Sequence, residues 1–139
     1  MSRRKARETA FKVVYQVDQV KAEPRSAFNY LLQETPLSET ESAFSWTLIE
    51  GCLKKLGEID AKISHCSNEW AIERMSSVDR NLMRIASFEI LYVEGSSPVV
   101  AINEAIELSK RYGEVNSASF VNAILDRIKA EAGNEPEHD

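Results

Sequence analysis

Apolar residues recur along this chain at intervals of three and four, and almost nowhere in alternation. From about Arg3 to Lys21, the residues Ala6, Ala10, Val13, Val14, Val17 and Val20 fall on one stripe, which predicts an amphipathic helix. Pro24 suits the first turn of a second helix that carries Phe28, Leu31 and Leu32 to about Glu34, and Pro36 stops it. Ser38 and Glu41 have the spacing of a capping box. The third helix that they open bears Phe44, Leu48, Ile49, Cys52, Leu53 and Leu56. Gly51 lies inside it, where glycine costs up to about 1 kcal/mol relative to alanine; a close approach by another backbone would explain its presence. Gly57 is expected to break the pattern, and a fourth helix follows with Ile59, Ile63 and, towards its end, Trp70. Ser77 is the expected cap of a fifth helix, the loop Gly95–Pro98 precedes a sixth from about Val99 to Tyr112, and Gly113 ends it. Ser117 starts a seventh, with Val121, Ile124, Leu125 and Ile128 as its stripe.

The fold class is therefore all-α, with about seven helices; hairpin turn signals, sustained period-two alternation and internal repeats are missing from the sequence. The fifth helix stands out. Leu82, Ile85, Ala86, Phe88, Ile90, Tyr92 and Val93 cover most of its circumference and leave a strip of Arg80, Arg84 and Ser87. Such a helix belongs at the centre of its domain. Glu89 projects on the same side as Leu82 and Ile85, so it needs a partner there, an arginine or a helix N-terminus.

At 139 residues the chain has the length of one domain and can bury a single core. No apolar run approaches the roughly 18–20 residues needed to cross a bilayer, and the basic N-terminus lacks a secretory cleavage pattern. Two cysteines, Cys52 and Cys66, make no disulfide framework, and a reducing cytoplasm is the expected location. His65 beside Cys66 has no third or fourth ligand at workable spacing, so no metal is expected. Phosphate loops, dinucleotide turns and nucleophile–base arrangements are missing too, so neither catalysis nor a cofactor is expected.

Charge changes the picture. The first twelve residues set Arg3, Arg4, Lys5, Arg7 and Lys12 against Glu8 alone, a local +4, on a chain whose net charge is −5. A basic end on an acidic protein reads as a local polyanion site. Arg4, Arg7, Phe11 and Tyr15 cluster on the helical wheel away from the valine stripe. Arginine supplies a fixed donor fork for phosphate, and an aromatic face offers a stacking platform worth about 1–3 kcal/mol per unpaired base. That pairing favours single-stranded nucleic acid over a duplex. The alternative is a helical protein-interaction module whose basic end meets an acidic protein.

Three segments carry a family resemblance. AINEAIELSK, RYGEVNSAS and FVNAILD resemble the closing helices of the NusB family of transcription antitermination factors. SVDRNLMRIASFEIL is similar to that family's V-D-R-x-x-L-R-x-A-x-x-E-L helix, and RRKARETAFKVVYQVD to its opening R-R-x-A-R-E helix and the tyrosine after it. The resemblance covers about residues 2–130. It implies two small helical bundles packed together, and one NusB-like RNA-binding domain over residues 1–132, with an acidic tail at 133–139 expected to be disordered. It also implies a non-enzymatic factor that binds single-stranded boxA RNA together with the small-subunit ribosomal protein NusE. The pair promotes read-through in ribosomal RNA operons, contacting the transcribing polymerase complex indirectly. A homodimer is a candidate state of the free protein. By the same resemblance the RNA-binding residues are Arg3, Arg4, Arg7, Tyr15, Asn116, Ser119 and Phe120, and Arg80 and Arg84 are candidates for the partner face. Two departures stand out. Ser119 replaces a frequent lysine, removing a phosphate contact, and Ala123 replaces the usual glycine, which suggests slightly altered helix packing.

Overall fold

Helix boundaries follow local capping chemistry. In a computed structural model, which describes residues 3–134, the elements are α1 (Arg4–Val20), α2 (Pro24–Glu34), α3 (Glu39–Lys54), α4 (Leu56–Cys66), a 3-10 turn (Ile72–Arg74), α5 (Ser77–Tyr92), α6 (Pro98–Tyr112) and α7 (Ser117–Asn134). Among the described residues there is no strand. The Glu23 carboxylate accepts the orphan amides of Arg25 and Ser26 at 3.0 and 2.9 Å ahead of Pro24. The Ser38–Glu41 box closes in both directions, at 3.0 and 3.1 Å. Lys21, left-handed at φ 57°, ends α1.

Four expected boundaries need correction. Ser76, not Ser77, caps α5, accepting the Asp79 amide at 3.1 Å. The break between α3 and α4 falls at Lys55, and Gly57 lies exposed in the first turn of α4. Trp70 lies beyond the end of α4 rather than on its stripe. Helix α7 continues through Gly133 to Asn134, so the start of the expected tail is helical; residues 135–139 lie outside the described residues.

Helix α5 is the axis of the molecule. It packs against α1 and α3 on one side and α4, α6 and α7 on the other. The two bundles thus share one helix, and their interiors merge into a single apolar cluster running from Ala6 to Ile128. Every residue from Asn81 to Glu89 is buried, as the nearly all-round apolar pattern requires. Gly51 is explained by a ring rather than a backbone: a Cβ there would stand 2.0 Å from Cζ of Phe88. Ala123 is exposed, so its methyl does not alter helix packing.

Polar side chains tie the helices where the core cannot. The Asp18 carboxylate accepts from Arg80 at 2.6 Å and Asn81 at 2.9 Å, and Arg84 grips Asp60 with two contacts of 2.8 Å. Arg80 also donates to the carbonyls of Ile72 and Met75, which fixes the 3-10 turn to α5. Burial works against the Asp18 charge, but the hydrogen bonds from Asn81 and Arg80 and the charges of Arg80 and Arg84 outweigh it and hold the carboxyl down at about 2. Burial pushes the Cys52 thiol up to about 12, which leaves it without nucleophilic character.

Candidate nucleic-acid interface

The basic end of α1 divides into three roles. Arg3 is exposed, with its guanidinium 4.1 Å from the centre of the Phe44 ring. Arg4 has a side chain 67% exposed and meets Glu104 at 3.1 Å. Arg7 turns inward. Its Nε and Nη2 donate to the two oxygens of Glu89 at 2.8 and 2.7 Å, with the side chains 9% and 1% exposed. The Ser96 hydroxyl donates to the same carboxylate. Glu89 therefore finds the arginine partner its position demanded. Burial opposes the Arg7 charge, but the hydrogen bond and charge of Glu89 prevail and raise its pKa further.

A surface path leads away from Arg4 along α1, whose residues Arg4, Glu8, Lys12 and Gln16 repeat every four positions on one face. Arg4, Lys5 and Glu8 join Glu104, Glu107, Lys110 and Arg111 of α6 around a hollow of about 440 Å³. Glu8 closes its far side, accepting from Arg111 Nη1 at 2.8 Å and from the Tyr112 hydroxyl. Burial raises the Glu8 pKa, but those two hydrogen bonds and the charges of Lys12 and Arg111 bring it below the usual carboxylate range. Beyond Glu8 lies a groove of about 380 Å³ lined by Phe11, Lys12, Tyr15, Gln16, Val78 and Tyr112. Tyr15 is half-buried there, its ring 5.9 Å from that of Phe11.

Val78 is in the first turn of α5, and the opposite side of that turn opens a third hollow of about 290 Å³, lined by residues that include Trp70, Asp79, Asn116 and Phe120. Asn116 and Ser119 are exposed, and Phe120 is half-buried against Trp70, ring centres 5.8 Å apart. One oxygen of Asp79 has no partner among the described residues. The structure thus brings Tyr15 and the Asn116–Phe120 segment to the same end of α5, joined by the α6–α7 connection that follows Tyr112. Arg3 and Arg4 open the other end of the path. Arg80 and Arg84 are not on it: their guanidiniums cross-tie α5 to α1, α4 and the 3-10 turn, with side chains only 12% and 8% exposed.

Sequence reading missed Trp70, 56% exposed, as well as Tyr112 and Arg111. Trp70 was absorbed into a helical stripe. Tyr112 and Arg111 join the basic end through Glu8, a pairing across 104 and 103 positions of chain that no local pattern reveals.

Comparison with known proteins identifies the family. The model of the NusB family matches residues 4–130. Transcription antitermination protein NusB of Syntrophomonas wolfei subsp. wolfei is 62% identical over 131 residues, spanning 94% of this chain and 98% of that one. The structure of T. maritima NusB superposes with a TM-score of 0.87 at 36% identity, covering 94% of this chain and 92% of its own. A crystal structure of antitermination factors NusB and NusE in complex with dsRNA superposes with a TM-score of 0.85 at 25% identity, over 94% of this chain and 99% of that one. Matched by the family model from the start of α1 into α7, and by a relative over nearly its whole length, the chain belongs to the NusB family.

Proposed function

We propose that this protein binds single-stranded boxA-type RNA jointly with the ribosomal protein NusE, and promotes read-through in ribosomal RNA operons while contacting the polymerase complex only indirectly. In this reading it acts by binding rather than by catalysis, and in the cytoplasm. The observation that carries it is the continuous path from Arg3 and Arg4, past Lys12 and Tyr15, to Asn116, Ser119 and Phe120. Cations begin the path and aromatic faces continue it, the combination that an unstacked strand requires. The solved complex of NusB and NusE with dsRNA supports NusE and RNA as the classes of partner.

Within that reading Arg3 and Arg4 are the phosphate contacts. Arg7 anchors α1 to α5 through Glu89 and holds the other two in place. Arg80 and Arg84 support the partner face from behind, by fixing the 3-10 turn and α4. The net charge of −5 opposes a polyanion away from this path, so the partner is needed to complete a tight site. The test is titration of a boxA strand against a scrambled strand, with and without NusE, across salt concentrations. Preference for boxA that grows with NusE supports the proposal; equal binding of both strands at every salt overturns it. Sedimentation of the free protein decides between a monomer and a homodimer.

A further inference from the structure

The groove between α1 and the end of α6 has a construction that the reading above leaves unused. Phe11 forms its floor, 4% exposed, and belongs with Leu82 and Leu108 to a small apolar cluster separate from the main core. Tyr15 and Tyr112 rise from that floor, their rings 5.9 and 5.7 Å from the Phe11 ring. The bond from the Tyr112 hydroxyl to Glu8 fixes the Tyr112 ring before anything binds. A wall ordered in advance removes part of the entropy cost of binding.

Its rim is equally specific. Among the described residues no carboxylate lines the groove. Lys12 stands 5.8 Å from the centre of the Tyr112 ring and makes no salt bridge among the described residues. The Gln16 side-chain amide, half-buried at the edge, has no hydrogen bond among the described residues, so it can offer both a donor and an acceptor. Aromatic walls, a cation at the mouth and a free amide suit one chemistry: a flat heterocycle with a polar edge, attached to a phosphate.

We propose that this groove seats one unpaired nucleobase of the bound strand, with Tyr112 and Tyr15 as stacking walls, Gln16 reading the base edge and Lys12 holding the adjoining phosphate. The proposal rests on the RNA reading above, adds Tyr112 and Gln16 to it, and gives Lys12 a stated contact. Continuity supports it, since the groove lies on the same α1 face as Arg4, one step past Glu8.

The test uses the full chain with NusE and a boxA-type strand in which single nucleotides are made abasic in turn. Tyr112→Leu is expected to weaken binding of the intact strand about fivefold, the low end of what one stacked base contributes. At one abasic position the variant and the wild type should bind equally, because the base that Tyr112 meets is gone. Tyr112→Phe, which keeps the ring and loses the tether, should bind within about twofold of wild type. Lys12→Ala should flatten the salt dependence by about 0.7, one phosphate on a single strand. Parallel losses for Tyr112→Leu at every abasic position overturn the proposal, as does a Tyr112→Phe loss equal to that of Tyr112→Leu. So does a Tyr112→Leu variant that weakens NusE binding without RNA, which would give the groove to the protein partner. If the Arg3/Arg4 double alanine variant loses RNA while Tyr112→Leu keeps it, the RNA reading stands and the groove assignment falls. A wild type that does not distinguish boxA from scrambled RNA removes both.

Discussion

Replacing Glu89 by Gln tests whether Arg7 is an anchor or a phosphate contact. The substitution keeps the volume and one acceptor, so it opens no cavity. It removes the carboxylate that a guanidinium with a side chain 9% exposed grips with two nitrogens, leaving Glu104 as a more distant negative charge. The two contacts at 2.8 and 2.7 Å then lose their charge complement in a site nearly closed to water. Breaking such a pair from one side costs about 3 kcal/mol, mostly as the penalty on the cation left behind. For a domain of this length that corresponds to a fall in melting temperature of about 10 °C. Replacing both partners, Arg7→Met with Glu89→Leu, removes the uncompensated charge and should recover most of the loss. Thermal and urea unfolding at neutral pH measure both steps. The double variant also carries the functional readout: with Arg7 turned inward, its RNA affinity and salt slope should match the wild type. A loss below about 1 kcal/mol for Glu89→Gln refutes the buried pair. A flattened salt slope in the folded double variant shows instead that Arg7 reaches a phosphate.

Gly51→Ala drives a methyl into the Phe88 ring, and should cost about 2 kcal/mol in chemical unfolding; a neutral result means α3 and α5 separate easily. The Asp18 carboxyl lies at about 2, below its ordinary value of 3.8, so its stabilisation is fully present above about pH 4 and is lost as pH falls through 2. That contribution is about 2 kcal/mol. Asp18→Asn should remove it and flatten the acid limb of stability against pH. Ser38→Ala removes the cap of α3 and should lower stability by about 1 kcal/mol, read from the denaturant midpoint. Both cysteines are buried with thiol pKa values raised by burial, so an aromatic disulfide reagent should label neither until the protein unfolds.

The helices were legible because most are amphipathic, and α2, α3, α5 and α6 are capped by short-range side-chain chemistry. Ser38 with Glu41, Pro24 and Gly113 act within a few residues, and their effects can be read one turn at a time. The central place of α5 was legible for a related reason: a helix with almost no polar face has nowhere else to go. The misplacements share a cause as well. Gly57 looks like a breaker, but glycine in a first turn is tolerated, and the chain bends at Lys55, where no residue type announces it. Arg80 and Arg84 look like a solvent-facing strip on an isolated helix, yet Asp18 and Asp60 on other helices draw them inward. Arg7 belongs to a basic cluster by sequence and to a buried pair by structure, because Glu89 lies 82 positions away. The candidate site was half visible: its α1 side follows from charge and wheel position, while its α6 side exists only through tertiary contact.

That contact sets a schedule for the protein's birth. The groove's walls come from Phe11 and Tyr15 near the start of the chain and from Tyr112 near its end, and Glu8 waits for Arg111 and Tyr112 to arrive. On the ribosome, α1 emerges early with its cations bare, and for most of synthesis it is a basic peptide with little selectivity. Only when α6 has been made and docked does the carboxylate gain its partners and the slot close around its floor. On the RNA-binding proposal, recognition of a particular strand therefore waits for α6 and for the Asn116–Phe120 segment behind it, and a polypeptide halted before α6 would be sticky towards RNA without being choosy.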